Sequence, residues 1–228
     1  GSQVVGMGKA LAEAFPVAKA VFDEVDAALS EKLSAVIWDG PIETLTLTAN
    51  AQPALMAVSL SVMRVLEAEC GLDLRRDAAF VAGHSLGEYS ALAAAGAFSI
   101  GDAAQLLRTR GQAMQKAVPV GTGAMAALIG PSVEDARAIC EEAAQGEVVS
   151  VANINAPGQI VIAGTKAGVD RAIEITKTRG VRRALLLPVS APFHCELMTP
   201  AADRLEPILD AANFKDLWVA LVSNVDAS

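Results

Sequence analysis

The spacing of apolar positions separates a helical first part of the chain from a mixed second part. Residues 7–14 and 16–29 carry apolar side chains at helical intervals, and Pro16 suits a first helical turn. Asn50 reads as the N-cap of a long helix over 51–70, with Gly71 as its stop. A short apolar run, 78–82, fits a buried strand. It ends in Gly83-His84-Ser85-Leu86-Gly87, and the helix formers of 88–95 follow. That is strand, tight turn, helix. Between 102 and 117, a turn of about 100° per residue gathers Leu106, Leu107, Ala113, Met114 and Ala117 into one stripe. Gln105, Arg108, Gln112, Gln115 and Lys116 fall opposite. From Gly121 the texture changes. Strand signals at 124–129, 148–152, 159–163 and 184–189 are interleaved with helices at 134–144, capped by Ser132, and 167–178, closed by Gly180. Asn155-Ala156-Pro157-Gly158 is the turn between the middle strands. The order βαββαβ predicts a ferredoxin-like small subdomain over 119–190, inserted into an α/β catalytic subdomain formed by 1–118 and 191–228.

Composition narrows the class. Of 228 residues, 53% are hydrophobic and 19% charged, which excludes intrinsic disorder. A net charge of −8, with no basic run interleaved with aromatics, argues against nucleic acid or an anionic membrane as partner. The longest charge-free stretch, Thr44 to Met63, holds Asn50, Gln52 and Pro53 and is too polar to cross a bilayer. No basic-then-apolar signal sequence opens the chain. Cys70, Cys140 and Cys195 have no metal-ligand spacing and read as reduced thiols of a cytoplasmic protein. The two histidines, His84 and His194, are too few for a zinc site and leave two candidates for imidazole chemistry.

Gly83 to Gly87 fits the nucleophile elbow G-x-S-x-G, in which a strained turn lifts a serine hydroxyl to the tip of a strand. The following helix aims its N-terminal amides at the same spot, so the Leu86 backbone N–H offers half of an oxyanion hole. The competing reading is a glycine-rich turn with an idle serine. A nucleophilic serine needs a base. His84 adjoins Ser85, and consecutive side chains leave a strand on opposite sides, so His194 is the better candidate. It lies in Ser190-Ala191-Pro192-Phe193-His194-Cys195, where Glu196 is the nearest acid in sequence but no third member is evident. Arg110 falls in the middle of the apolar stripe, where a guanidinium must be paired. Two readings stay open: a structural salt bridge, or a planar fork for a substrate carboxylate. Gly121-Thr122-Gly123-Ala124-Met125-Ala126 spells G-x-G-x-x-A, but it precedes a strand instead of joining strand to helix, so a dinucleotide-binding loop is rejected.

At GHSLGEYSAL, RTRGQAMQ, GTGAMAALIG, NAPGQIVIAG and PVSAPFHCELMTPAA, the chain resembles the malonyl-CoA:acyl carrier protein transacylases of type II fatty acid synthesis, over essentially its whole length. The resemblance implies an α/β-hydrolase-like large subdomain with a ferredoxin-like insertion. It implies Ser85 as the acyl-accepting nucleophile, His194 as its base, Arg110 gripping the malonyl carboxylate, and Met114 and Phe193 as pocket walls. Phe193 before the histidine is similar to the malonyl-type pattern of related polyketide acyltransferases. The implied mechanism is ping-pong, from malonyl-CoA through malonyl-Ser85 to the phosphopantetheine thiol of acyl carrier protein. No cofactor or metal is implied, and a cytoplasmic monomer is expected. The alternatives are a serine esterase or thioesterase on the same elbow, disfavoured by the insertion and the stripe arginine, and an inactive fragment. The family opens with a strand and PGQGSQ and continues past Asp226, so a chain starting at Gly1-Ser2-Gln3 reads as a truncated or incomplete form of a longer enzyme. The second oxyanion amide and the carbonyl that orients His194 would lie in those further stretches. Acyl carrier proteins are acidic, so docking needs a local basic patch. Lys166 to Arg183 holds six basic and two acidic residues, and Lys177, Arg179, Arg182 and Arg183 are the expected docking patch.

Overall fold

The computed structural model describes residues 2–119, 121–189 and 191–228. Gly1, Val120 and Ser190, the last being the first residue of the histidine motif and the end of the expected insertion, lie outside the described residues. Helices α1 (Lys9–Ala14), α2 (Pro16–Leu29), α3 (Leu33–Asp39), α4 (Ile42–Thr46), α5 (Thr48–Cys70) and α6 (Leu74–Asp77) lead to strand β1 (Phe80–Ala82). Next come α7 (Leu86–Ala94), α8 (Ile100–Ala117), β2 (Gly123–Ile129), α9 (Val133–Ala144), β3 (Val149–Ala156) and β4 (Gln159–Thr165). The chain continues through α10 (Lys166–Thr176), β5 (Arg183–Leu186), a 3-10 turn at Glu196–Met198, α11 (Thr199–Asp210) and β6 (Ala220–Val222). Contacts group it into two units, Gly1–Gln112 with Ile208–Ser228, and Ala113–Pro207.

In the first unit, the helical spacing of α2 puts Val21, Phe22 and Val25 on one buried face, in a core with Leu45, Met56 and Leu60. Asn50 does not cap α5. The helix begins at Thr48, the Asn50 amide donates back to the Thr44 carbonyl at 2.8 Å, and its oxygen accepts from Arg108 instead of from a helix N–H. Gly71 does end α5, at φ +68 with its N–H on the Leu66 carbonyl. β1 is not the buried strand its composition suggests: Phe80 is 65% exposed. Among the described residues its sheet has two strands, β1 and β6 in parallel, so little covers it. Arg108, expected on the polar side of α8, is drawn in by Glu31 at 2.8 Å and by Asn50, leaving its side chain 12% exposed.

The second unit holds the βαββαβ run. Its sheet order is β3-β4-β2-β5, antiparallel throughout, the strand order of a ferredoxin-like sheet. Alternate residues Ala124, Ala126 and Leu128 of β2 face Ile139 and Cys140 of α9 and Val169 and Ala172 of α10. Ser132 and Asp135 close a capping box at the start of α9. The hairpin turn is shorter than the sequence suggests: Ala156 still pairs with Gln159, leaving Pro157 and Gly158, the latter at φ +70. β5 stops at Leu186, short of Val189. Among the described residues, no helix is long and apolar enough to cross a membrane.

Candidate active site

The elbow is built by close backbone approach. A Cβ on Gly83 would lie 1.9 Å from the Gly87 carbonyl, so only glycine lets the chain fold back there. The Gly87 N–H bonds the His84 carbonyl at 2.9 Å and the Glu88 N–H bonds the Ser85 carbonyl at 3.1 Å, closing the turn into α7. Ser85 sits at φ 54, ψ −110, a conformation that a side-chain-bearing residue holds only under restraint. Leu86 is the first helical residue, so its N–H belongs to the donors that have no partner inside the helix. Two polar contacts were not anticipated from sequence. The Ser85 N–H donates to Asn224 Oδ1 at 2.8 Å, and the Asn224 N–H donates to Glu88 Oε2 at 2.9 Å. The sequence signal for Asn224 is its place two residues beyond β6, whose pairing with β1 sets Val222 opposite Ala82.

Arg110 reaches the same serine. One guanidinium nitrogen donates to Ser85 Oγ at 3.0 Å, and the other donates to Gln52 Oε1 at 2.5 Å. Gln52, 3% exposed, is held in turn by its Nε2 donating to Thr48 Oγ1 at 2.8 Å. The Tyr89 ring lies beneath the guanidinium, 5.6 Å from its centre. Burial pushes the Arg110 guanidinium below its ordinary value, while Tyr89 and Glu88 favour its charge. Among the described residues, no carboxylate ion-pairs with it. The structural salt bridge left open by the sequence is therefore absent, and the partners are neutral. Gly111 makes the arrangement possible. A Cβ there would lie 2.5 Å from the Thr48 carbonyl oxygen, so α8 and the start of α5 touch backbone to backbone beside Arg110. A glycine next to a stripe arginine was the signal that could have pointed to Gln52.

In the second unit, His194 stands at φ 60 in the segment before the 3-10 turn. Phe193 and Met114 pack into one cluster with Ala113, Val118, Ala191 and Met198. Gly123 is required by this segment: its Cβ would lie 2.3 Å from Pro192, which explains a glycine of the rejected G-x-G-x-x-A. Cys195 donates to the Pro192 carbonyl at 3.1 Å, and burial pushes its thiol up, so it stays protonated and a poor nucleophile. The basic segment is largely neutralised. Lys166 pairs with Asp170 at 2.6 Å, Arg171 with Glu147 at 2.7 Å, Lys177 with Glu174 at 2.6 Å, and Arg179 with Glu142. Among the described residues, Arg182 and Arg183 have no ion-pair partner. No group of three or more His, Cys, Asp or Glu there could hold a metal ion.

Comparison with known proteins places this geometry in context. The acyl transferase domain family matches residues 1–218. A malonyl CoA-acyl carrier protein transacylase of Bacillus subtilis (strain 168) is 50% identical over 228 residues, covering 100% of this chain and 70% of the relative. The crystal structure of an acyl-carrier-protein-S-malonyltransferase from Bartonella henselae superposes with a TM-score of 0.96 at 55% identity, over 100% of this chain and 72% of that one. A malonyl-transacylase solved in complex with its type II PKS acyl-carrier protein gives a TM-score of 0.95 at 46% identity, over 100% of this chain and 72% of that one.

Proposed function

We infer that this chain, which belongs to the acyl transferase family and within it to the malonyl CoA-acyl carrier protein transacylases, carries the malonyl group on Ser85. The reaction moves malonyl from malonyl-CoA to acyl carrier protein. One observation carries the choice of serine: Ser85 is held at φ 54 in the strand-to-helix turn, with the Arg110 guanidinium 3.0 Å from its hydroxyl. Ser85 Oγ attacks the thioester carbonyl carbon as His194 takes its proton, and the charge developing on the carbonyl oxygen meets the Leu86 N–H. The C–S bond breaks, and coenzyme A leaves as the thiol with the proton from His194. The phosphopantetheine thiol then gives its proton to His194 and attacks the ester, and Ser85 leaves with that proton restored. His194 is supported by the family motif and by His84 being the neighbour of Ser85.

Arg110 takes the malonyl carboxylate, with Gln52 fixing the guanidinium from the far side. Met114 and Phe193 form pocket walls. These steps use no metal or cofactor. Carrier protein docks on the patch of Lys177, Arg179, Arg182 and Arg183, where Arg182 and Arg183 supply the uncompensated charge. The same proposal takes 1–118 with 191–228 as the catalytic subdomain, 119–190 as its insertion, and the protein as a cytoplasmic monomer. Incubation with malonyl-CoA followed by intact-protein mass spectrometry tests it. One malonyl group on Ser85, discharged when acyl carrier protein is added and missing in Ser85→Ala, is the expected result. Free malonate released without carrier protein identifies a hydrolase instead, and label persisting in Ser85→Ala rejects the nucleophile.

A further inference from the structure

Ser85 and Asn224 are 139 residues apart in sequence, yet they meet because β1 and β6 run parallel and release the chain at the same end. Each bond that closes the elbow acts on a neighbour of the serine or on its carbonyl: Gly87 N–H to the His84 carbonyl, Glu88 N–H to the Ser85 carbonyl. The Ser85 N–H is held from outside, by Asn224 Oδ1 at 2.8 Å. Asn224 is itself aimed by its own N–H on Glu88 Oε2 at 2.9 Å, in the first turn of the helix that Ser85 opens.

We propose that Asn224 is a positioning residue for acyl transfer, fixing the Ser85 backbone so that Oγ and the Leu86 N–H are presented together. The proposal rests on Ser85 as the nucleophile. A residue at φ 54, ψ −110 relaxes unless its surroundings over-determine it. The N–H bond pins the His84–Ser85 peptide plane while the Glu88 N–H pins the Ser85 carbonyl beyond it, and with both planes held the backbone cannot turn Oγ away from the attacking position. With that N–H occupied by Asn224, the Leu86 N–H is left as the elbow's donor to the oxyanion. The hydrogen bonds of Asn224 run to Ser85 and Glu88, so its loss should fall on the chemical steps and not on substrate binding.

The test is single-turnover acylation of the full protein by malonyl-CoA, with steady-state transfer to acyl carrier protein and thermal unfolding measured alongside. Asn224→Ala is expected to lower the acylation rate and kcat about ten- to a hundredfold, the usual cost of a small misplacement of a reacting group. KM for malonyl-CoA should stay within about twofold, because uniform binding is untouched. Asn224→Asp keeps an oxygen at the same place and should recover most of the rate. Native acylation by Asn224→Ala, a loss confined to KM, or an Asp variant as slow as the Ala variant overturns the proposal. If Asn224→Ala does not fold, Asn224→Gln displaces the amide by one methylene: about tenfold lower kcat at native Tm supports the proposal, and native kcat overturns it. Native protein that takes up no malonyl overturns the nucleophile and the proposal together. Native labelling with unaltered variants overturns Asn224 alone.

Discussion

Arg110 and the basic run from Lys166 to Arg183 both concentrate positive charge, but they satisfy it in opposite ways. Four cations of the run are paired with carboxylates at the surface, two of which, Glu142 and Glu147, come from α9 and the residues after it. Arg110 is half-buried and bonded to an amide oxygen, a hydroxyl and the face of a ring. A guanidinium whose partners are neutral retains most of its attraction for an incoming anion. A surface cation already facing an acid has spent much of its own, and such exposed pairs contribute about 0–1 kcal/mol to stability. The difference separates a cation with neutral partners from surface cations already matched by acids.

Removing the first charge should have the largest effect. If Arg110 takes the malonyl carboxylate as proposed, two charge-assisted hydrogen bonds would be worth roughly 3–5 kcal/mol. Arg110→Ala should therefore lower kcat/KM for malonyl transfer about a hundred- to a few-thousandfold, with Tm unchanged or higher. A falling Tm with equal loss for uncharged acyl groups would mean that Arg110 serves the fold. Converting Arg110 into the other kind of cation comes next. Gln52→Glu gives it the carboxylate it lacks, which then competes with the substrate. Malonyl transfer should fall about tenfold or more while acetyl transfer holds, since one charged hydrogen-bond partner is worth roughly 1.5–3 kcal/mol. Unaltered malonyl kinetics in Gln52→Glu would show that neutrality around Arg110 has no bearing on the substrate. The smallest effect is expected at the surface. Reversing Lys177, Arg179 and Arg182 together to Glu should slow transfer to carrier protein severalfold, more at low salt, and leave serine acylation alone. Equal loss in both half-reactions would make the patch structural.

The elbow could be read in the sequence because its determinants are local: Gly83, Ser85 and Gly87 occupy one turn and specify its bend. The place of Arg110 was legible for the same reason, since a helical period needs only neighbouring residues. Its partner Gln52 is 58 residues away and became visible only once Gly111 brought α8 onto α5. Asn224, 139 residues from Ser85, is marked only by its place after β6, and that mark acquires meaning only through the pairing of β6 with β1. The basic run was overcounted because the acids that neutralise Arg171 and Arg179 arrive through the tertiary fold from outside the window. Asn50 and the run at 78–82 were misread on one principle: a cap and a strand's burial depend on what the preceding turn and the neighbouring strands do. The family was legible because its motifs and their spacing run the length of the chain, and the relatives at 50% and 55% identity agree with that reading.

The central claim is that Ser85 accepts an acyl group chosen by the charge it presents to Arg110. Equimolar malonyl-CoA and acetyl-CoA offered together, with the acyl group on Ser85 read by intact-protein mass, test it most directly. The native protein should carry malonyl almost exclusively, and Arg110→Ala should carry mainly acetyl. The same ratio of malonyl to acetyl in both proteins would contradict the claim.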